Sequence, residues 1–397
     1  MRSLPRPRLV PVALSLLTLL VVASGLTYFL RATRYSYPTF DFGTVPDHGC
    51  DAGTGIANLD GKPNQPIPNF VHYVWLLKDP AELRLGFKLF VSMYSANILW
   101  KPDGIYFHTD AAPEVIEKAR VSGTPWTKRI LEMPGLIFNH VEAPAVTTKG
   151  VKIVKMEHKA DFLRLAALRD YGGVYLDADA IPLRDIADLR NSGFRNVVGG
   201  QTGITLRFSG YLNNGVMMSV PHSNMMTLFY HASHQFFTGE WDTASIHLLT
   251  DLANRMATIP SEVLILQPQA FDPTSWEYDD QKRLFLPAMD PLPSNATLES
   301  QTQDQQSDLA SSVGACRDAL AWLKQREMLS SKDKWELDFS STYVLHAFDN
   351  WVPSILGAGR TIDVKYVLAR QSNYARAVFP MVWRAVQEGL ISREEVG

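Results

Sequence analysis

The sequence predicts an α/β fold: one domain with a mixed, largely parallel sheet flanked by helices, following an N-terminal transmembrane helix. Short apolar runs rich in β-branched and aromatic residues alternate with segments of helical period, which is typical of this class. An uncharged apolar stretch lies near the N-terminus. The chain has 397 residues, of which 46% are hydrophobic, enough to build one large core.

The N-terminal apolar stretch extends from Leu9 to Leu30 without a charged residue. A helix of this length crosses a hydrocarbon core of about 30 Å. A cleaved signal peptide has a shorter apolar run of roughly 7–15 residues, so a retained anchor is favoured. Slightly more positive charge precedes the stretch than follows it. The positive-inside rule therefore places residues 1–8 in the cytosol as a short tail and predicts a single-pass type II membrane protein.

The rest of the chain divides by composition. Residues 31–68 are rich in Gly, Pro, Asp and Asn, which is typical of a stem or linker. The main domain is expected over residues 69–375, with a C-terminal tail over 376–397. Within the domain, residues 293–331 turn to Ser, Gln, Asp and Thr and indicate a surface insertion. The N-glycosylation sequon Asn295-Ala296-Thr297 lies in it, as expected of a loop facing a lumen.

The elements of the main domain are short. Strands are predicted at residues 70–76, 105–107, 151–154, 174–179, 196–199, 215–218, 263–266 and 342–346. Helices are predicted at residues 113–121, 158–170 and 225–237. Because helices alternate with the strands, the sheet is expected to be mainly parallel.

Charge and cysteine content exclude two classes of function. The 38 basic and 41 acidic residues nearly balance, and no Lys/Arg-rich run indicates nucleic-acid binding. Two cysteines, Cys50 and Cys316, are too few for a cysteine zinc site. They either form one disulfide in an oxidising compartment or remain free thiols.

Polar residues concentrate between His158 and Leu183. Asp161 and Arg164 are spaced i, i+3 on the predicted helix and so share one face. Gly172-Gly173 ends that helix, since glycine is favoured just past a helix C-terminus.

The strand that follows carries two carboxylates. Its alternation places Tyr175, Asp177 and Asp179 on one face at the strand end, where ligands collect in open α/β sheets. Two close carboxylates repel each other and need a counter-charge. Oxygen ligands suit Mn²⁺ or Mg²⁺, so the pattern predicts a divalent metal site.

This segment resembles the DXD sugar-binding region of family 32 glycosyltransferases, whose pattern is roughly His-x-(Ser/Ala)-Asp-hh-Arg-hhhL and then Tyr-Gly-Gly-h-Tyr-h-Asp-h-Asp. The family includes fungal outer-chain and inositol-phosphoceramide mannosyltransferases, and large clostridial glucosylating toxins share the core pattern. The resemblance covers roughly residues 67–360. The matching residues are His158, Asp161, Arg164, Leu168, Tyr171, Gly172, Gly173, Tyr175, Asp177 and Asp179.

The resemblance implies a GT-A-like, Rossmann-type fold and metal-dependent, retaining transfer of a hexose. The donor would be a nucleotide-diphosphate sugar, and the acceptor a glycan, glycolipid or glycoprotein of the secretory pathway. With the predicted anchor, it implies a catalytic domain facing the Golgi or ER lumen. Mn²⁺ is the favoured cofactor and Mg²⁺ the alternative.

The resemblance also implies roles for individual residues. Asp177 and Asp179 would form the catalytic centre and bind the metal together with His346. Asp161 and Arg164 would contact the donor sugar or ribose. Other substrate-binding residues implied are Trp75 and Tyr175 near the base, Asn214 (and, more weakly, Asn213) beside the donor sugar, and Trp351 stacking on a sugar.

Two other functions use the same tripeptide. In haloacid-dehalogenase-like phosphatases the first Asp, here Asp177, is the nucleophile. That motif usually continues with Thr or Val and sits early in its domain, whereas Ala180-Ile181-Pro182 follows here. The second alternative is a catalytically inactive sugar-nucleotide-binding scaffold, against which the intact acidic pair argues.

Overall fold

The computed structural model describes residues 65–203, 210–288, 336–357 and 359–395. The predicted cytosolic tail, the transmembrane anchor, nearly all of the stem and the insertion 293–331 lie outside these ranges. Within the described ranges no helix combines the length and the apolar composition needed to cross a bilayer.

A seven-stranded sheet forms the centre of the domain. Its strands are β1 (Phe70–Trp75), β2 (Gly104–Thr109), β3 (Leu136–His140), β4 (Gly173–Leu176), β6 (Asn196–Gly200), β7 (Leu212–Ser219) and β8 (Val263–Leu266), in the order β3-β2-β1-β4-β7-β6-β8. Neighbours are parallel except at β7, which is antiparallel to both β4 and β6. A separate antiparallel pair joins β5 (Ala180–Pro182) to β9 (Val344–His346). The predicted mixed α/β fold with a mostly parallel sheet is confirmed.

Helices cover both faces of this sheet. They are α1 (Phe87–Trp100), α2 (Pro113–Ser122), α3 (Pro125–Leu131), α4 (Met156–Tyr171), α5 (Ala187–Arg190), α6 (Asn224–Phe236), α7 (Leu248–Met256), α8 (Pro268–Phe271), α9 (Tyr278–Phe285), α10 (Val352–Leu356), α11 (Val364–Ala369) and α12 (Asn373–Gln387), with a π-helical turn at Thr243–His247 before α7. Along β4, Val174 and Leu176 enter a core shared with α1 and α12, while Tyr175 enters a second core shared with α6 and α7. This alternation separates the two faces of the sheet.

Two predicted strands differ from the structure. Residues 151–154 do not form a strand of the sheet, because only Lys152 makes an isolated bridge, to Val146. The third strand is instead β3, an edge strand whose half-exposed side chains lack a clear apolar run. The strand predicted at 174–179 ends at Leu176, and a turn precedes β5.

The predicted boundary at residue 376 falls inside α12. Phe379, Val382 and Trp383 of this helix are buried in the larger core. Pro380 lies in the helix interior, where proline removes a backbone donor and normally signals a helix end. The packing of the apolar face outweighs that local signal, so these residues belong to the domain.

A buried histidine pair ties the first strands to the start of β4. His72 Nε2 donates to the carbonyl oxygen of Gly172 at 2.6 Å, so His72 Nδ1 accepts from His108 Nε2 at 3.0 Å. His108 Nδ1 in turn accepts from the side-chain amide of Asn139 at 2.8 Å. This arrangement satisfies all four ring nitrogens only when both imidazoles are neutral. Glycine is required at the junction, because a Cβ on Gly173, at a φ of 100°, would lie 2.6 Å from the Phe70 carbonyl oxygen.

The histidine pair makes folding sensitive to acid. Burial and the neighbouring His108 lower the pKa of His72 to about 3, and burial lowers that of His108 to about 4. Unfolded histidines titrate near 6.5, so the unfolded chain binds more protons in acid. The stabilisation is complete above about pH 6.5 and is lost as the pH falls toward the folded-state values. The free energy of unfolding should drop by up to about 1.4 kcal/mol per pH unit for each histidine below pH 6.

Urea unfolding of the full chain at pH 7 and pH 4.5 measures how steeply the free energy of unfolding changes with pH. The His108→Gln variant should be less stable at pH 7, but its free energy of unfolding should change less steeply with pH, giving a shallower slope. His140→Gln, on the exposed edge of β3, is the control and should keep the wild-type slope. An unchanged slope in His108→Gln would contradict the assignment.

Candidate active site

The end of β4 and the short β5–β9 pair bring three potential metal ligands together. Asp177 follows β4 directly, and its amide donates to the carbonyl oxygen of Gly215 on β7 at 2.8 Å. A tight turn, closed by the amide of Ala180 on the carbonyl of Asp177 at 3.0 Å, presents Asp179. Ala180 pairs with His346 across β5 and β9. The turn, rather than a continuous strand, therefore brings both carboxylates to the same place.

Asp177, Asp179 and His346 form a group suited to a divalent cation. One ligand atom from each lies within 4.8 Å of the others. His346 Nε2 is 3.4 Å from Asp179 Oδ1 and 3.7 Å from Asp177 Oδ2. Two carboxylates and one imidazole fit Mn²⁺ or Mg²⁺, which keep further positions for water or phosphate oxygens. The residues present thus fit the predicted metal.

The charges of neighbouring side chains and burial together shift the pKa values of the residues in this group. Burial disfavours a charged His346, but hydrogen bonds and charge from Asp179 and Asp272 raise its pKa to about 10. Burial also opposes ionisation of Asp179, yet His346 and Lys88 lower its pKa. Burial lowers the pKa of Lys88 to about 8. The carboxylates on both sides therefore favour a charged imidazole, whereas a histidine that binds a metal must be neutral at the ligating nitrogen.

Arg164 organises the second half of the site. Its guanidinium lies 3.2 Å from Asp177 Oδ1 and 3.3 Å from Asp161 Oδ1, and donates to the carbonyl oxygen of Asn214 at 2.8 Å. The Asn214 amide donates to Asp161 at 2.9 Å, and the Tyr175 hydroxyl donates to Asp177 at 2.6 Å. Arg164 also stacks 4.6 Å over the Tyr175 ring. The structure therefore joins all five of these predicted residues in one network.

This network holds the positively charged guanidinium of Arg164 beside Asp161 and Asp177. Burial raises the pKa of Asp161 to about 6, against the opposing charge of Arg164. Burial works against the charged guanidinium, but Asp177, Tyr175 and Asp161 raise the pKa of Arg164. Arg164 is therefore a permanent positive charge held in place from two sides.

The predicted aromatic contacts are less closely tied to the site. Trp75 ends β1 at the correct edge of the sheet, but it packs on the larger core, on the face opposite Tyr175. Trp351 is 38% exposed, and its indole N–H donates to the carbonyl oxygen of Trp276 at 3.1 Å. Asn213 accepts from the amide of Gly215 at 2.6 Å and so shapes the β7 backbone.

Gly215 is a site residue that the sequence analysis did not single out. A Cβ at this position would run into the imidazole of His346 and lie 2.8 Å from Asp177 Oδ2 and 2.9 Å from Asn213 Oδ1. Only glycine lets β7 approach the metal group this closely. The Asn214-Gly215 pair was its one signal in the sequence, and that pair equally indicates a turn.

The segment that contains Asp177 and Asp179 is similar to a known protein family. Residues 102–198, which include the Asp177-Ala178-Asp179 motif, match the family described as "Glycosyltransferase sugar-binding region containing DXD motif". "Glucan organizing enzyme 1" of Cryptococcus neoformans var. grubii serotype A is 30% identical over 225 residues, 55% of this chain and 57% of that protein. "O-glycosyltransferase PaGT" of Phomopsis amygdali is 36% identical over 84 residues, 19% of this chain and 21% of that protein.

The chain thus spans little more than half the length of the first relative and about a fifth of the second. Among solved structures, the PaToxG glycosyltransferase is similar at a TM-score of 0.35 and 15% identity, covering 50% of this chain and 72% of that one. The glycosyltransferase GlyE of Streptococcus pneumoniae is similar at a TM-score of 0.36 and 11% identity, covering 83% of this chain and 66% of that one. These structural similarities are weak. Residues 102–198 therefore match a DXD-type sugar-binding region of glycosyltransferases, as the sequence predicted for the segment that contains Asp177 and Asp179.

Gly215→Ala tests the close approach of β7. The added methyl group should force His346 and Asp177 apart. Overpacking of this kind typically costs about 1–3 kcal/mol of free energy. Mn²⁺ affinity of the full chain, measured by calorimetry, should fall on the order of tenfold to a hundredfold. Gly86→Ala is the matched control, since a Cβ there meets nothing within 4 Å. Wild-type affinity in Gly215→Ala would show that the metal does not bind between these side chains.

Proposed function

We propose that the protein transfers a hexose from a nucleotide-diphosphate sugar to a glycan, glycolipid or glycoprotein acceptor, with a divalent cation held by Asp177, Asp179 and His346. The observation that carries this proposal is one continuous network. It runs from the metal group through Arg164 to Asp161. A cation site beside a fixed guanidinium and hydrogen-bonding carboxylates suits a ligand that is a diphosphate at one end and a sugar at the other.

Each end of the network binds a different part of the donor. When bound, the cation neutralises the diphosphate and stabilises it as the leaving group. Arg164, whose charge is permanent, adds positive charge where negative charge develops on that group. Asp161 and the Asn214 amide, one accepting and the other donating, hydrogen-bond sugar hydroxyls. The diphosphate therefore lies at the metal end and the hexose beside Asp161.

A small pocket borders Asp161. His158, Phe162, Trp241 and Ser245 line it together with Asp161. Aromatic rings with a few polar groups are the usual lining of sugar and cofactor pockets. The exposed ring of Trp351, five positions after His346 along the chain, supplies a second surface on which a donor or acceptor sugar stacks.

We further propose a GT-A-like fold and retention of anomeric configuration, supported by the resemblance of residues 158–179 to family 32 enzymes. A retaining transfer of this type needs no dedicated general base. The proton of the acceptor hydroxyl passes to the departing diphosphate or to a carboxylate of the site. Mn²⁺ is the proposed cation and Mg²⁺ the alternative.

Donor turnover tests the proposed activity. The full chain is incubated with Mn²⁺ and UDP-glucose, UDP-galactose, UDP-N-acetylglucosamine or GDP-mannose, and release of free sugar is measured. One donor should be hydrolysed slowly, and Asp177→Asn or Asp179→Asn should reduce this rate by about 100-fold or more, because each replaces a charged carboxylate ligand with a neutral amide.

Asp170→Asn is the matched control, because Asp170 is exposed and paired with Arg169 outside the site. Hydrolysis of p-nitrophenyl phosphate in place of the nucleotide sugars would indicate the phosphatase alternative. Binding of a donor without any turnover would indicate the scaffold.

The proposed location is a membrane-anchored, lumen-facing domain of the Golgi or ER. It is supported by the uncharged Leu9–Leu30 stretch and by the sequon at Asn295. In eukaryotic cells the full chain should carry a glycosidase-sensitive glycan that Asn295→Gln removes. An unglycosylated chain that proteases digest in sealed microsomes would contradict this topology.

A further inference from the structure

A buried carboxylate lies behind the proposed metal ligand His346. Asp272 follows α8 and is 1% exposed. Its Oδ1 lies 3.4 Å from His346 Nδ1, whereas His346 Nε2 faces Asp177 and Asp179. Among the residues described, neither carboxylate oxygen of Asp272 nor Nδ1 of His346 makes a hydrogen bond of regular geometry, so the two side chains meet in an ion-pair contact. Burial raises the pKa of Asp272, whereas His346 and the backbone of Thr202, which also lies close to the carboxylate, lower it. The imidazole is thus held between the metal group on one side and a single buried carboxylate on the other.

Asp272 and His346 share one rigid support. The Thr342 hydroxyl donates to the carbonyl oxygen of Gln269 at 2.8 Å, and the Tyr343 amide donates to that of Ala270 at 2.9 Å. These bonds fasten α8 to the segment that enters β9. The Thr202 hydroxyl also donates to the carbonyl oxygen of Asp272. The separation of the two side chains is therefore fixed by backbone contacts on both sides.

A buried carboxylate is costly unless hydrogen bonds or an opposite charge compensate it, and the imidazole of His346 is the opposite charge that Asp272 faces. Histidines that bind metals typically donate their second ring N–H to a carboxylate. This fixes the tautomer and the ring orientation and raises the basicity of the nitrogen on the metal. Asp272 does not face the Arg164 network, so the proposed transfer chemistry does not otherwise use it.

We propose that Asp272 is a positioning residue that accepts a hydrogen bond from His346 Nδ1–H and thereby holds Nε2 as a cation ligand. It acts through the histidine and touches neither the donor nor the metal. The inference rests on the proposed function only in that Asp177, Asp179 and His346 bind a cation. Whether the bound sugar nucleotide is then turned over is a separate question.

Cobalt binding by the full-length chain tests this role without any turnover. Co²⁺ serves as the probe because its visible absorption reports the ligands around it. Asp272→Ala should weaken Co²⁺ binding by about 10-fold to 100-fold, the usual effect of losing such a partner. Asp272→Asn should weaken it less, because its amide oxygen can still accept from Nδ1–H. Mg²⁺ binding should change less than Co²⁺ binding, since Mg²⁺ relies on oxygen ligands.

A double-mutant cycle shows whether Asp272 acts through the histidine. In a His346→Ala background, adding Asp272→Ala should cause no further loss of Co²⁺ affinity. Additive losses would overturn the inference, as would a folded Asp272→Ala or Asp272→Asn chain that binds Co²⁺ like the wild type.

Glu262→Gln is the matched control for folding. Glu262 is another fully buried carboxylate, and it accepts from Asn196 and the Met225 amide, away from the metal group. The Glu262→Gln substitution should lower thermal stability without changing the Co²⁺ affinity. If Asp272→Ala does not fold, Asp272→Asn decides the matter alone. Normal Co²⁺ binding by the wild type with no turnover of any nucleotide sugar would reject the proposed function and leave this inference standing.

Discussion

The site depends on balancing the negative charges of four carboxylates that the fold gathers in partly or fully buried positions. Burial disfavours ionised carboxylates, so each must face a cation or a donor. Arg164 compensates one pair of them, and His346 lies between the other two. A divalent cation held by Asp177, Asp179 and His346 would supply positive charge at the same place. The four carboxylates concerned are Asp161, Asp177, Asp179 and Asp272.

Much of the fold serves to bring these charges together. Inserting β7 antiparallel between β4 and β6 places Gly215 beside Asp177, and the absence of a side chain there leaves room for His346. The small β5–β9 sheet carries His346 back from a distant part of the chain. On the other face of the Asp177 carboxylate, α4 presents Arg164. The site thus draws on a local helix–strand unit and on two long-range strand pairings.

This division explains what could be predicted from the sequence. Asp161, Arg164, Tyr175 and the two DXD carboxylates lie within one helix–turn–strand segment, where spacing alone sets which side chains share a face. His346 could be proposed only from the family resemblance, because β9 and β5 are paired in space but lie far apart in the sequence. No local pattern marks Asp272, whose importance comes from burial and a long-range contact. Trp75 was placed at the correct edge of the sheet, but spacing did not reveal which core its ring enters.

The central claim is that one cation binds between Asp177, Asp179 and His346. A crystal structure of the full chain with Mn²⁺ and a nucleoside diphosphate, with anomalous data collected at the manganese edge, tests it most directly. One anomalous peak is expected, with oxygen atoms of Asp177 or Asp179, Nε2 of His346 and the diphosphate in its coordination shell. A diphosphate bound without metal, or a manganese peak away from these side chains, would contradict it.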